Sequence, residues 1–362
     1  MSEKQIDAVF FSSEDNVLYY GGAKSYELMA TFARPLFFLL PRQGEPTLII
    51  HKLFEETTRR KSPIRDIRTY ADASTPTELI IDFFKEYNLR NGIIGVEMGE
   101  ETRIGMPLDA YNRITKSIPD SKFVDASDII WRQRMVKSES EISFIRKSCE
   151  ILDKAYQKTQ EKIHKGMMEL DVDRIHRENI VSLGAEKPGF VIMNSSPENY
   201  NVFTGAATTN ILREDNLLWI DSGAVYNGYW SDTNRNFAIG TLSDKQIRTY
   251  KITLEATKKL INLIKPGLRV CDIITSFNEY SKKMGLTSLS SAGRIGHSLG
   301  IIATEPPHLA LYDKTILEPG MVVTPEPTVI TDHGLYQTEV DVVITEDGCE
   351  QLSTPLDDLP VI

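Results

Sequence analysis

Two periodicities divide the chain. Up to about residue 133 the apolar residues fall in short runs suited to strands. Residues 6–11 (IDAVFF), 16–20, 36–40, 46–51 and 92–96 are expected as strands, with the turn-forming PRQGEP between the third and fourth. Residues 78–87 and 107–117 carry helical spacing, and 122–125 closes the set as a last strand. This predicts a small N-terminal α/β domain over residues 1–133. It offers only His51 as a metal ligand and no charged constellation, so packing or oligomer contact is its expected use.

From Lys137 the period lengthens. Ser138 and Glu141 form an S-x-x-E capping box, followed by Ile142, Ile145, Ile151, Leu152 and Tyr156 at helical spacing. That helix ends near His164-Lys165-Gly166, and a shorter one follows over 170–183. The arrangement recurs: Ser243 and Gln246 open a long helix ending at Lys265-Pro266-Gly267, and a shorter helix spans 271–284. Each helix pair precedes two strands around a tight turn. Residues 134–362 thus read as a second domain, two copies of helix, helix, hairpin offset by roughly a hundred residues. Such duplications tend to enclose a shared cleft.

The hairpins carry the chemistry. Residues 217–221 (LLWID) and 229–239 flank Asn227-Gly228, a strong two-residue turn signal. That turn sets Asp221 across from Asn234, with Asp232 two residues earlier on the same face. Asp221 and Asp232 become diagonal neighbours, with backbones roughly 7–8 Å apart. In the second hairpin, strands over 321–330 and 335–345 with a turn at His333-Gly334 would set Glu326 across from Asp341, and Glu339 two residues earlier. Four converging carboxylates repel one another unless neutralised. Two divalent cations would neutralise them. The imidazole of His297, in GRIGHSLG, would complete an oxygen–nitrogen shell suited to manganese, cobalt, zinc or iron.

Composition narrows the setting. The chain has 362 residues, 41% apolar and 25% charged, with net charge −10. No basic run suggests nucleic-acid binding, and the acidic excess opposes an anionic membrane surface. Cys149, Cys271 and Cys349 lack paired spacing. They are expected to be reduced, with Cys149 and Cys271 as small core residues. The start, MSEKQIDAVFF, lacks signal-peptide character, and no apolar stretch reaches the roughly 18 residues of a membrane span. A cytoplasmic location is the expectation.

The motifs IDSGAVYNGYWSDTNRNF, GHSLG with TEPP, PGMVVTPEP and TEVDVVITEDG resemble the pita-bread metalloenzymes of aminopeptidase P, prolidase and methionine aminopeptidase. The N-terminal part and RMVKSESEISFIRK resemble the creatinase, prolidase and aminopeptidase P branch. The resemblance covers essentially the whole chain. It implies an α+β protein, with a C-terminal pita-bread domain behind a smaller creatinase-like α/β domain, commonly a homodimer. It also implies two divalent metals, manganese foremost. Asp221 would bind one, Asp232 and Glu339 would bridge both, and His297 and Glu326 would bind the other. The reaction implied is hydrolysis of a C–N bond by a metal-activated water, with Glu326 shuttling the proton.

The departures lie on the substrate side. Where peptidases of this branch carry histidines, in motifs like ALPHG and HEPP, this chain has Thr204 and Thr304. The family arginine two residues before the last glutamate is Gln337, and the acid after that glutamate is Val340. Threonine donates a hydrogen bond but carries no charge. His308, four residues past Thr304, is the candidate to compensate, and His333 is a second. The expected substrate is therefore an Xaa-Pro dipeptide or a small non-peptide amide such as ectoine. The alternatives are a lyase on the same scaffold, like dimethylsulfoniopropionate lyase, and a non-catalytic binding protein. A metal-free creatinase-like reaction is disfavoured, because that chemistry leans on a histidine at the place of Thr204.

Overall fold

The computed structural model of the chain describes residues 1–23, 34–286, 293–354 and 358–362. It separates into two compact units, Met1–Gln133 and Arg134–Ile362. The first is built in the order β1 (Ala8–Phe11), α1 (Glu14–Gly21), β2 (Phe37–Pro41), β3 (Thr47–His51), α2 (Glu55–Lys61), β4 (Asp66–Tyr70), α3 (Thr77–Glu86), β5 (Ile93–Val96), α4 (Leu108–Ser117) and β6 (Lys122–Asp125). The strands form one mixed sheet in the order β4-β3-β2-β1-β5-β6. Phe10, Phe37, Ile49, Phe83 and Phe84 are among its core residues.

Residues 16–20 are helical, not a strand. Ser13 caps α1 by accepting the Asn16 N–H, and Glu14 and Asp15 suit the positive end of the helix. The buried Glu97 holds that start by accepting the Ser12 and Ser13 N–H groups and the Asn16 amide. These contacts override the apolar look of VLYY. Helix α2 and strand β4 were also not foreseen; EETTRRK and DIRTY have too few apolar residues to show a period.

Helix α5 (Ser127–Met135) leads into the second unit. There follow α6 (Glu139–Lys162), α7 (Glu169–Ser182), β7 (Lys187–Asn194), β8 (Asn216–Tyr226) and β9 (Tyr229–Ile239). The second half has α8 (Asp244–Leu263), α9 (Val270–Lys283), β10 (Gly296–Ser298), β11 (Val322–Pro325), β12 (Thr328–Thr331), β13 (Gly334–Gln337), β14 (Val342–Ile344) and β15 (Cys349–Gln351). Both predicted capping boxes form, at Ser138/Glu141 and Ser243/Gln246. Among the described residues the strands make sheets β7-β8-β9, β10-β11-β14-β15 and β12-β13. Helices α6 and α7 pack on the first through Leu152, Tyr156, Val172, Ile220 and Phe237. Helices α8 and α9 pack on the second through Leu260, Ile274, Phe277, Val323 and Val342.

Hairpin β8–β9 follows the sequence arithmetic. Asn227 and Gly228 take φ of 49° and 82°, the left-handed pair a two-residue type I′ turn requires. Asp221 lies opposite Asn234. The second hairpin differs. Thr331 pairs with Gly334, so the turn is Asp332-His333. The Thr331 hydroxyl closes it, donating to the Gly334 carbonyl and accepting the His333 N–H. The register therefore shifts. Continued from either β12–β13 or β11–β14, it aligns Glu326 with Glu339 rather than with Asp341.

Candidate metal centre

Asp221 on β8 and Asp232 on β9 project from one face of the first hairpin, because Asp232 lies two positions before Asn234, the partner of Asp221. His297 sits on β10, which pairs with β11 and so approaches Glu326 just beyond that strand. Its Nδ1 lies 3.0 Å from the Ser298 carbonyl. A carbonyl only accepts, so Nδ1 carries the proton and Nε2 presents a lone pair to the acids. Nε2 is 3.6 Å from Asp232 Oδ2 and 3.8 Å from Glu326 Oε1. Ligand atoms of Asp232, His297 and Glu339 all lie within 4.8 Å of one another. Asp221 lies close enough to Glu326 for that charge to raise its carboxyl, with Asp232 and Glu339 as its other acidic neighbours. Asp232, His297 and Glu339 thus meet in one cluster, with Glu326 beside His297 and Asp221 among the acidic neighbours.

Neighbouring polar side chains aim them. Thr324 Oγ1 and Asn234 Nδ2 donate to the two oxygens of Glu339, each at 3.0 Å. Gln337 Nε2 donates to Glu326 Oε2 at 3.0 Å. The Asp232 N–H donates to Asp341 Oδ2 at 3.0 Å. In the sequence Asn234 and Asp341 stand out only as cross-strand partners of the acids, and Thr324 not at all. The available signals were that Asn234 is the cross-strand partner of Asp221 and that Asp341 keeps period two with Glu339. Glu305 accepts the Ile301 and Ile302 N–H groups and pairs with Arg134 and Lys137, all three side chains at most 2% exposed. Its backbone bridges Ser298, so this buried ion cluster holds the strand that carries His297.

Burial and mutual repulsion set the protonation. Burial pushes the Asp221, Asp232 and Glu339 carboxyls well up, and each is raised further by its acidic neighbours. Burial raises Glu326 to about 7, against the pull of Arg294 and the Gln337 hydrogen bond. Burial, and after it the Arg294 charge, lowers His297 to about 3, so its imidazole is neutral. Oδ1 of Asp221 and Oδ1 of Asp232 are buried with no hydrogen-bond partner among the described residues. Buried carboxylate oxygens without donors call for a cation. Oxygen donors with one neutral imidazole form a divalent-metal donor set.

The substrate-side residues are more scattered. Thr304 is half-buried beside Glu305, and Thr204 is exposed on the loop before β8. His308 is buried at 5% exposure, and Arg294 Nη1 donates to its Nδ1 at 3.0 Å. His333 keeps to its turn, bonded to the Tyr336 hydroxyl.

The model of metallopeptidase family M24 matches residues 143–346, more than half of the chain, and that of the creatinase/prolidase N-terminal domain matches residues 1–136. The chain belongs to metallopeptidase family M24. Similar members of the family span its whole length. The Xaa-Pro dipeptidase of Pyrococcus horikoshii is 29% identical over 98% of this chain and 94% of that protein. The crystal structure of the prolidase from Pyrococcus horikoshii OT3 superposes with a TM-score of 0.86 at 28% identity, covering 99% and 97% of the two chains. The Xaa-Pro dipeptidase from Bacillus anthracis gives 0.88 at 25% identity, covering 100% and 96%. This M24 chain thus has the creatinase-like N-terminal and pita-bread C-terminal fold expected from its motifs. As an M24 metallopeptidase it uses divalent metal ions, and its clustered acids and His297 are the candidate holders. Among its described residues, no helix is long and apolar enough to cross a membrane.

Proposed function

We propose that this chain hydrolyses the bond preceding proline in Xaa-Pro dipeptides, with two divalent cations, manganese foremost, held by Asp221, Asp232, His297, Glu326 and Glu339. The observation that carries this reading is the meeting of Asp232, His297 and Glu339 in one buried cluster, with carboxylate oxygens of Asp221 and Asp232 that have no donors. When bound, the cations would polarise the scissile carbonyl and acidify a water.

The protein's own groups supply the rest. Asp221, Asp232 and Glu339 bring the negative charge that selects dications. Glu326 is the ligand whose side chain stays most open, at 14% exposure. That openness suits its carboxyl to take a proton from the attacking water and return it to the leaving proline nitrogen. Thr304 can donate one hydrogen bond toward the substrate carbonyl. The length-spanning likeness to Xaa-Pro dipeptidases supports the dipeptide substrate.

A second reading rests on Thr204, Thr304 and Gln337. Neutral groups at these positions leave less positive charge for a peptide's tetrahedral intermediate and favour a small non-peptide amide. One screen separates the readings: manganese-loaded protein assayed against Xaa-Pro dipeptides, longer proline peptides and cyclic or simple amides. Release of free proline is expected. Turnover of the amides alone supports the second reading, and a product carrying no oxygen from labelled water would mark a lyase.

A further inference from the structure

The geometry points to Trp219 as a positioning residue that sets the Glu326 carboxylate through Gln337. Trp219 and Gln337 are both fully buried. The indole N–H can only donate, and it donates to Gln337 Oε1 at 3.0 Å. A side-chain amide whose oxygen is pinned this way must turn its NH2 in the other direction. It does so toward Glu326, with Nε2 3.0 Å from Oε2. The flipped amide would set N–H against N–H at the indole and carbonyl against carboxylate at Glu326. Trp219 therefore decides which face of Gln337 meets the acid. With Oε2 committed to the amide, Oε1 remains on the side of His297.

The backbone fixes the middle of this chain. The Gln337 N–H donates to Asn236 Oδ1, and Asn236 Nδ2 donates to the Leu335 carbonyl, which stitches β13 to β9. At its far end the indole stacks on Phe203, with ring centroids 5.5 Å apart and planes at 28°. Phe203 immediately precedes Thr204. One aromatic side chain thus anchors both the loop of Thr204 and the orientation of Glu326.

This role rests on the reading of Glu326 as a metal-binding, proton-carrying group, so its test has one arm that does not. The variants are Trp219→Phe, Gln337→Met and both together, in the full chain. The first arm is cobalt affinity by calorimetry, with kcat and KM on an Xaa-Pro dipeptide. Groups that orient a ligand typically contribute about 10–100-fold in affinity or activity. Each single variant is expected to weaken cobalt binding and lower kcat by about tenfold with little change in KM, and the double variant by no more than either single. The second arm is the Trp219 indole N–H resonance of metal-free protein with isotope-labelled tryptophan, which is expected to move in Gln337→Met. Effects that multiply in the double variant, or an indole resonance unmoved by Gln337→Met, overturn the inference. If the wild-type chain binds no cobalt, the functional reading falls, and the hydrogen-bond chain is then decided by the resonance alone.

Discussion

Asp232 on β9 and His297 on β10 belong to different sheets, yet Asp232 Oδ2 stands 3.6 Å from His297 Nε2. The contact joins an acid raised by burial to an imidazole lowered by burial. In the metal-free protein the acid tends to hold its proton and the imidazole to lack one. A divalent cation between them replaces the proton and uses the lone pair.

Metal stabilisation should therefore grow with pH. The raised carboxyls keep protons in the folded metal-free state that the unfolded chain has released above about pH 4. Their contribution is full below that pH and is lost as pH rises through the raised values, near 7 for Glu326 and Asp341. His297 works oppositely, but only between about 3 and its ordinary 6.5. Above that window the carboxylates set the slope. The Tm increase on adding manganese, read by scanning calorimetry, is expected to be small at about pH 5.5 and large at about pH 8. An increase that shrinks as pH rises would contradict this.

Asp232→Asn separates charge repulsion from metal binding. It replaces a carboxyl, whose ionisation burial and acidic neighbours oppose, with an amide that carries no charge at any pH. At about pH 8 the metal-free variant should melt above the metal-free wild type, lose most of its manganese-induced shift, and retain no more than about a hundredth of the activity. A variant that melts lower and keeps its metal response would remove Asp232 from the site.

The first hairpin was legible because its turn is local: Asn227-Gly228 can adopt positive φ, and the register follows by alternation. The second was misread by the same logic, since Gly334 begins β13 and the Thr331 hydroxyl closes the turn instead. Residues 16–20 look apolar, but their helix is held partly by Glu97, some eighty residues away in sequence. The five candidate ligands showed themselves through spacing and motif. Their supports did not. Trp219 and Asp341 meet their partners more than a hundred residues away in sequence, and a polar or aromatic residue in a strand gives no sign of which partner it meets.

Glu305→Gln tests the buried ion cluster. The amide would leave Arg134 and Lys137 buried without their carboxylate. Breaking such a cluster from one side costs about 3–5 kcal/mol. Urea unfolding should register a loss of that order, and manganese affinity should fall because the strand of His297 loses its anchor. A change under about 1 kcal/mol would show that solvent reaches the cluster.

Gly296 precedes His297 with φ of 152°. A Cβ there would press on the Thr324 carbonyl and the Leu309 side chain. Gly296→Ala should destabilise the protein by about 2 kcal/mol and weaken metal binding, by spreading β10 from β11. Unchanged Tm and metal affinity would mean that the pairing of β10 with β11 tolerates a side chain.

The most direct measurement is metal content and dipeptide turnover on one sample of the full chain, before and after chelation. The expected result is two divalent ions per chain, release of free proline from an Xaa-Pro dipeptide, loss of both on chelation, and recovery of both with manganese. Full turnover in the chelated, metal-free protein, or no turnover of any Xaa-Pro dipeptide by the fully loaded one, would contradict it.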